Sequence, residues 1–430
     1  MSRTGFFLPN AKKPTFNRFW VVLLTATFTV INAASAQEDD LSPRVLTESE
    51  AIELLLHHDA HTQRWESQIQ VRQADATIAG AFPNPSVGYS REQLFGDSTR
   101  WEETVELEQQ LPISGRRGLQ TRAAREMIRA QQAEIDDEQN DLRRQLRESF
   151  YQLLYRQRVV EIHRQSVERI DDAIEMMEQR VDAGESAPYE LERLWRERAE
   201  FKAVVDAERG RMHSDRAVLS SWLGIPPKEA YALEVRGQLL PEELPDEGEV
   251  ADAVAAHPKL VATGHRIDAY ELEADAAHRW WIPDLVVRGG LKRERHGADR
   301  DLGFEAGLFV ALPLFYRGGG HHDKAQAQSN QARAAQRLGR ESMTAQTLGL
   351  LREARQFADA AVTHQEEGVE RAQRVLRLAE QSYDAGEAGL LELLDAHQGL
   401  VDARLRQLRL TAEARNSFIE LLSLIEFEEE

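Results

Sequence analysis

"RVDAGESAPYELERL", residues 180–194, and "YDAGEAGLLELLDA", residues 383–396, contain the same tetrapeptide, DAGE, 202 residues apart. Glycine readily adopts the left-handed backbone conformation that ends many helices. Leucines and carboxylates at helical spacing follow both copies, so each stretch predicts the tip of a helical hairpin. Two such tips in one chain raise the question of whether the whole chain is duplicated.

Other landmarks recur at nearly the same spacing and in the same order. The matching pairs are His58 with His257 (199 apart), Phe82–Asn84 with Ile282–Asp284 (200 apart) and Pro112 with Pro313 (201 apart). A spacing that drifts from 199 to 202 along the chain predicts an internal duplication. We therefore divide the chain into a first repeat at 37–223, a linker rich in Pro and Glu at 224–249, and a second repeat at 250–430.

Each repeat has the same predicted order of elements. A helix of about 30 residues (Glu48–Gly80; Glu249–Trp281) runs into a proline, and two strands, a long helix, the DAGE turn and a last helix follow. No glycine or proline lies between Gly118 and Gly184, which leaves room for a helix roughly 100 Å long. Its apolar residues recur at three-four spacing, the pattern of a coiled coil with a narrow buried seam. The sequence predicts long antiparallel helical hairpins.

Four segments read as strands, at about 85–95, 101–112, 284–294 and 302–313. In the last one, Phe304 and Leu308 fall on one face, and Gly303, Glu305 and Gly307 fall on the other. Ten-residue strands of this kind are typical of membrane β-barrels, and a soluble sheet is the alternative. Four strands cannot close a barrel, and open edges in lipid leave backbone groups unsatisfied. Placement in a membrane therefore requires several chains: a dimer gives eight strands and a trimer gives twelve.

The N-terminus has the features of an export signal. Basic residues precede the apolar run Phe19–Ile31, and the small residues Ala34–Ala36 follow it, which predicts a cleavable signal peptide over 1–36. Its removal takes away four basic residues and changes the formal charge from −20 to −24. A chain this acidic lacks the patch of basic residues that nucleic-acid binding requires. Cysteine is absent, so the chain has no disulfides or thiolate metal ligands.

Together these features resemble the outer-membrane efflux proteins typified by TolC, over Leu46–Leu424. The stretch Tyr383–Ala396 is the most specific, and the order of the other landmarks adds to it. The resemblance implies a mainly α fold with a small membrane β part: a homotrimer whose helical hairpins form an α-barrel and whose strands, four per chain, share a twelve-stranded β-barrel. It also implies a passive duct in the outer membrane that extends into the periplasm, where an adaptor (membrane fusion protein) and an inner-membrane pump of the RND type engage it.

The stretches "LPISGRRG", "RVDAGESAPYELERL" and "LPLFYRGGG" resemble the subgroup that exports heavy-metal cations of the cobalt–zinc–cadmium type. Multidrug or type I secretion ducts are the alternatives within the family. An alternative of another class is a soluble periplasmic coiled-coil scaffold that uses the same hairpins without the barrel.

The resemblance also implies roles for individual residues. The hairpin tips become adaptor-docking tips, and acidic side chains just beyond the second tip face the constriction of the channel. The docking residues are Asp182, Ala183, Gly184, Glu185, Asp384, Ala385, Gly386 and Glu387. The gate residues are Glu392 and Asp395 with their repeat equivalents, Glu190 and Arg193. Three copies of a carboxylate pair around an axis form rings that attract cations.

The sequence leaves alternative interpretations of the gate residues open. Arg193 stands opposite Asp395 in the repeat, which suggests either an Arg–Asp link that holds the tips closed or an ordinary surface pair, and exposed pairs contribute little. All four residues are also compatible with simple solvated charges.

Metal and enzyme sites are not indicated. His57 and His61 lie one helical turn apart, a spacing that can chelate, and His321–Asp323 forms a second cluster. His58 and His257 occupy equivalent repeat positions, however, which favours a role at a helix turn. No motif of a hydrolase, zinc protease, P-loop or dinucleotide-binding protein is present. We predict no catalytic residues, no metal ligands and no cofactor.

Overall fold

A computed structural model describes residues 44–95, 100–296 and 299–426 of the chain. The first repeat comprises β1 (Arg44–Leu46), α1 (Glu48–Leu56), α2 (Asp59–Gly80), β2 (Ser86–Leu94), β3 (Arg100–Leu111), α3 (Arg116–Asp182) and α4 (Pro188–Trp222). The linker holds α5 (Pro227–Ala230) and β4 (Leu233–Val235). The second repeat comprises α6 (Glu247–Ala255), α7 (Pro258–His278), β5 (Leu285–His296), β6 (Asp299–Val310), α8 (Gly319–His364), α9 (Glu370–Asp384) and α10 (Leu390–Ile425). The predicted mainly α fold with a small β part is confirmed, and the predicted signal peptide lies outside the described residues.

The first helix of each repeat is broken into two, so the prediction of one continuous helix at Glu48–Gly80 and Glu249–Trp281 is wrong. The ring of His58 accepts a hydrogen bond from the Ala60 N–H at 3.3 Å, and the ring of His257 accepts one from the Lys259 N–H at 3.2 Å. Each histidine therefore caps the start of a new helix, α2 or α7. Pro258 reinforces the second break because proline disfavours helical backbone in the residue before it.

The long helix is continuous in the first repeat and interrupted in the second. α3 contains 67 residues, which makes it roughly 100 Å long. Its counterpart is divided into α8 and α9 by a π-helical turn at Gln365–Val369. The absent side chain at Gly368 leaves room for the ring of His364, whose Nε2 lies 3.2 Å from the Ala403 carbonyl oxygen of α10. The irregular turn is thus packed against the return helix.

The hairpins are held together by an apolar seam. Ile170, Ile174 and Met177 of α3 pack with Leu194 and Phe201 of α4 and with Leu390 and Val401 of α10, and all of them are buried. The three-four spacing read from the sequence supplies this seam. Outside these seams the helix surfaces carry many charged side chains, as expected of a coiled coil that buries one stripe, together with exposed apolar residues such as Met176, Leu378 and Leu391.

The four longer strands form one antiparallel sheet in the order β2-β3-β5-β6. β3 pairs with β5, with Leu107 opposite Gly289, so the sheet joins the hairpins of the two repeats. β2 and β6 are the edges of this sheet, and neither has a further strand partner within the described residues. The outer edges of the sheet therefore present unpaired backbone groups.

The two faces of the sheet differ in chemistry. One face carries apolar side chains that are more than half exposed: Val87, Tyr89, Val105, Leu107, Leu291, Phe304 and Leu308. The other face carries ion pairs, among them Arg288 Nη2 with Glu108 Oε2 at 2.6 Å and the pair of Lys292 with Glu102. We call these the apolar face and the charged face. No helix in the described ranges has a stretch long and apolar enough to cross a membrane.

The linker is fixed to both repeats by a buried guanidinium. β1 and β4 pair in parallel, which joins the start of the described chain to the linker. Arg415 of α10 is 9% exposed and donates to the carbonyl oxygens of Gln238, Leu239 and Leu240 at 2.7, 2.9 and 3.1 Å. Its guanidinium also lies 4.5 Å from the ring centre of Tyr151 of α3. One side chain therefore ties α3, α10 and the linker together.

Replacing Arg415 should loosen this connection. In Arg415→Ala three carbonyl groups, that of the buried Leu239 among them, lose a charged donor, so we expect the free energy of unfolding to fall by about 3 kcal/mol. Limited proteolysis within 236–245 and urea unfolding measure the effect. Arg406→Ala, an exposed arginine on the same helix, is the control and should change stability by less than about 0.5 kcal/mol. Equal stability of the two variants would contradict the role of Arg415.

Candidate functional site

The two hairpin tips have the same backbone, residue for residue. Gly184 and Gly386 both have φ of +74°, and both are exposed with no atom near an added Cβ. Glu185 donates its N–H to the Arg180 carbonyl at 2.8 Å, and Glu387 donates to the Ser382 carbonyl, also at 2.8 Å. The remaining turn bonds recur with the same offset of 202. The DAGE repeat therefore marks two equivalent exposed turns.

The predicted gate residues lie in the first turns of the return helices. Glu392 accepts a hydrogen bond from the Gly389 N–H and so caps α10, while Asp395 is exposed one turn further along. Glu190 and Arg193 occupy the equivalent positions of α4 and are half-buried. Within the described chain Arg193 and Asp395 form no ion pair with each other, and the Arg193 Nε is buried without a hydrogen-bond partner.

A different set of residues links the two tips. Arg180 of α3 reaches Asp384 at the end of α9, with 3.7 Å between Nη2 and Oδ1, and its guanidinium lies 5.0 Å from the Tyr383 ring centre. The Tyr383 hydroxyl points at the Met177 sulfur at 4.0 Å. Burial raises the pKa of Tyr383, the nearby Arg180 opposes that rise, and Glu190 adds to it. The ion pair is exposed and weak, so the half-buried tyrosine is the stronger part of the link.

Sequence reasoning missed Arg180 and Tyr383 as linking residues, although a signal was present. With an offset of 202, Arg180 stands opposite Ser382, and Val181 stands opposite Tyr383. The repeats thus differ in chemistry directly before each DAGE turn. Asp384, predicted as part of a docking tip, also takes part in this link.

A cavity of about 290 Å³ lies directly behind the second tip, between α3, α9 and α10. Its lining includes Ile170, Met176, Tyr383 and His397. His397 is 6% exposed, and its Nε2 has no hydrogen-bond partner among the described residues. Burial, followed by the charges of Arg169 and Arg404, lowers the pKa of His397 to about 4. The ring is therefore neutral at pH 7.

In the two histidine clusters the rings stack on tryptophan or contact a backbone carbonyl. The ring of His61 stacks on Trp65 at 5.7 Å between centres, and His57 Nδ1 lies 2.9 Å from the Glu53 carbonyl oxygen. The ring of His321 stacks on Trp280 at 4.7 Å.

Among the described residues one group of three side chains could hold a metal ion: Glu126 of α3 with His265 and Asp268 of α7. Its Glu126 is already engaged by Arg129 at 2.7 Å and by His265 at 2.9 Å. Glu126 is thus shared between an ion pair with Arg129 on its own helix and a contact with His265 on α7.

The buried His397 makes stability depend on pH. The unfolded chain binds a proton at this residue below about pH 6.5, whereas the folded chain does so only below about pH 4. The stability that the neutral His397 ring contributes is therefore fully present above about pH 6.5 and is lost as the pH falls towards 4. Between pH 7 and pH 5 we expect His397 alone to account for a loss of about 2 kcal/mol.

Unfolding midpoints of the wild type and His397→Leu at pH 7 and pH 5 measure this contribution. His397→Leu should lose less stability on acidification than the wild type. The exposed His213 supplies the matched control, since His213→Leu should retain the pH dependence of the wild type. An unchanged pH dependence in His397→Leu would argue against the buried neutral ring.

Comparison with known proteins places this geometry in a family. The model of the family described as "Outer membrane efflux protein" matches residues 51–197 and 250–425, one segment in each repeat. The chain is 25% identical over 347 residues to "Cobalt-zinc-cadmium resistance protein CzcC" of Cupriavidus metallidurans, which covers 78% of this chain and 81% of that protein.

Two solved structures show the same fold. The outer membrane protein VceC of Vibrio cholerae superposes with a TM-score of 0.71 and 15% identity, and covers 89% of this chain and 97% of its own. CusC, a protein that forms a transmembrane channel, superposes with a TM-score of 0.70 and 15% identity, and the match covers 89% of this chain and 92% of CusC. Because the family model matches a long segment of each repeat, the chain belongs to the outer membrane efflux protein family.

Proposed function

We propose that this protein is the passive outer-membrane exit duct of a three-part efflux system and that its cargo is heavy-metal cations. It works as a homotrimer with a periplasmic adaptor and an inner-membrane pump of the RND type. An N-terminal signal peptide exports it, and it lies in the outer membrane and extends into the periplasm. The similarity to a cobalt-zinc-cadmium resistance protein supports the cargo, and family membership supports a duct rather than an enzyme.

The observation that carries the proposal is the difference between the two faces of the sheet. The apolar face is exposed along β2, β3, β5 and β6, which suits contact with lipid. The described charges of the other face are eight carboxylates (Glu92, Glu102, Glu106, Glu108, Glu294, Asp299, Asp301 and Glu305) and three bases (Arg100, Arg288 and Lys292). A pore lined by excess carboxylate attracts cations and repels anions.

The unpaired edges of the sheet support a trimer. An open edge in a membrane leaves backbone N–H and C=O groups without partners, which costs several kcal/mol for each group. If β6 of one chain pairs with β2 of the next, three chains close a barrel of twelve strands. The same closure turns the charged face of each sheet towards a common lumen.

The two remaining roles, the constriction of the channel and the docking of the adaptor, belong to the hairpin tips. Glu392 and Asp395, with Glu190 and Arg193 of the first repeat, form the constriction, where three copies give stacked rings of charge. Asp182–Glu185 and Asp384–Glu387 dock the adaptor, since both turns are exposed and share one backbone. The contact of Arg180 with Tyr383 and Asp384 holds the two tips of one chain together beside this constriction.

Resistance assays test the cargo. In a strain that lacks the gene, sensitivity to Co²⁺, Zn²⁺ or Cd²⁺ that the cloned gene corrects supports the proposal. Sensitivity confined to drugs or loss of a secreted protein would favour a multidrug or type I secretion duct. Recovery of the protein as a soluble periplasmic species, without a heat-resistant trimer in outer membranes, would favour the coiled-coil scaffold.

Neutralising the gate carboxylates should reduce cation selectivity. In Glu392→Gln/Asp395→Asn each trimer loses six negative charges at the constriction, so the K⁺-over-Cl⁻ permeability ratio should fall severalfold in planar bilayers. Glu242→Gln/Glu243→Gln in the linker removes as many charges far from the tips and is the control. A permeability ratio equal to that of the wild type would remove these residues from the gate.

A charged side chain at the tips should prevent docking. Gly184→Glu and Gly386→Glu force a left-handed backbone on a non-glycine residue, at a cost of about 1–2 kcal/mol, and change the exposed turn. We expect loss of metal resistance while the trimer still assembles. Gly210→Glu places the same side chain on open, exposed α4 surface, roughly 30 Å from the first tip, and should retain resistance. Resistance retained in both tip variants would argue against docking there.

A further inference from the structure

The end of the sheet farthest from the helices carries a separate pattern of charge. Cross-strand pairing places residues in rows across the four strands, and alternate rows point to opposite faces. On the apolar face, the last apolar row contains Tyr89, Val105, Leu291 and Phe304. Two more rows follow on the same face: Arg91, Glu103, Arg293 and Leu302, then Gln93, Trp101, Arg295 and Arg300. The apolar face thus ends in four arginines.

The sign of charge at these strand ends follows the face. The row between the two arginine rows points to the charged face and consists of Glu92, Glu102, Glu294 and Asp301. Arg91 is directly followed by Glu92, and Glu294 is flanked by Arg293 and Arg295. In a chain with a formal charge of −20, this local segregation gives the apolar face four positive charges against one negative.

The single carboxylate among these arginines is already engaged. Glu103 Oε1 lies 3.5 Å from Arg91 Nη1 and accepts a hydrogen bond from the Tyr89 hydroxyl at 3.2 Å. Arg293 and Arg300 are exposed and form no ion pair within the described ranges. At least two guanidinium groups therefore keep N–H donors directed to solvent.

Trp101 orders these arginines. The guanidinium carbons of Arg91 and Arg293 lie 5.3 and 5.4 Å from the centre of its indole ring, one from each neighbouring strand. Stacking on an aromatic face leaves the edge donors of a guanidinium free for bidentate bonds to an anion. Tryptophan at the boundary between an apolar band and a polar region is typical of a membrane interface.

We infer that Arg91, Arg293, Arg295 and Arg300, together with Trp101, form an arginine belt that binds the phosphate groups of anionic membrane lipids. The belt is continuous with the exposed apolar face, so its partner presents acyl chains and phosphate side by side. An anionic lipid has that chemistry, whereas a soluble anion does not. The inference rests on the proposed placement of the sheet in a membrane. It assigns the belt to the leaflet farther from the helices.

Lipid retention by the purified mature protein tests the belt. The protein in neutral detergent is titrated with a bis-phosphorylated lipid A and, separately, with phosphatidylcholine, and bound lipid is counted by native mass spectrometry. We expect tight binding of the phosphorylated lipid alone, weakened by high salt because the contact is electrostatic. Arg293→Gln/Arg300→Gln should weaken it about fivefold for each arginine removed, or about twenty-five-fold together.

Lys292→Gln is the matched control because it removes one positive charge from the same strand but from the charged face. It should retain the phosphorylated lipid with wild-type affinity. Equal affinity of the arginine variant and the wild type, or equal retention of phosphatidylcholine, would overturn the inference. If the double variant fails to assemble, the wild type alone tests the inference. Binding of the phosphorylated lipid that high salt does not weaken, or that phosphatidylcholine equals, would overturn it.

The same preparation separates this inference from the proposed function. A wild-type protein that inserts into neither neutral nor anionic vesicles contradicts membrane placement itself. A protein that inserts equally into both, with no effect of the arginine substitutions, contradicts only the arginine belt.

Discussion

Unpaired backbone groups at the edges of a four-stranded sheet are the constraint on which the rest of this structure depends. In the part of the chain that the structure describes, β2 and β6 each lack a partner on one side, and the face between them exposes Phe304, Leu291 and Tyr89 to more than half of their full extent. In water an open strand edge beside an exposed apolar face is a template for pairing with another chain, and open edges are excluded from lipid. Closure with other copies of the chain, in a membrane, removes both problems at once. The duplication, the central pairing of β3 with β5 and the long helices are all compatible with that closure.

Duplication explains the symmetry of the chain, and its departures mark the sites of interest. The two tips share every turn bond, yet the residues around them differ: Arg180 stands opposite Ser382, and Arg193 opposite Asp395. At these two positions the first repeat has arginine, whereas the second has Ser382 and Asp395. A duplicated unit can thus form links between its halves that two identical copies would lack. The π-helical turn before α9 is a third departure, since α3 runs without interruption.

Much of the fold could be predicted from the sequence because it depends on local patterns. The absence of glycine and proline over residues 119–183 specifies nearly all of α3, alternation specifies the faces of the strands, and glycines at 184 and 386 specify the turns. The helix-turn role predicted for His58 and His257 from their repeat positions agrees with their caps, but the breaks before α2 and α7 depend on ring geometry that periodicity does not report. The link from Arg180 to Tyr383 and the burial of His397 were missed for a different reason. The offset of 202 marks Arg180 and Tyr383 as positions where the two tips differ, but spacing does not encode which helices meet there or which of them bury His397.

Cross-linking of the two sheet edges tests the central claim most directly, and a chain without cysteine is well suited to it. Ser90→Cys on β2 and Gly303→Cys on β6 place one thiol at each edge. A bismaleimide shorter than the roughly 14 Å across four strands cannot join them within one chain. If three chains share one barrel, the doubly substituted protein in outer membranes should give covalent dimers and trimers, and each single variant should remain monomeric under denaturing conditions. Exclusively monomeric protein after complete thiol modification would contradict the shared barrel.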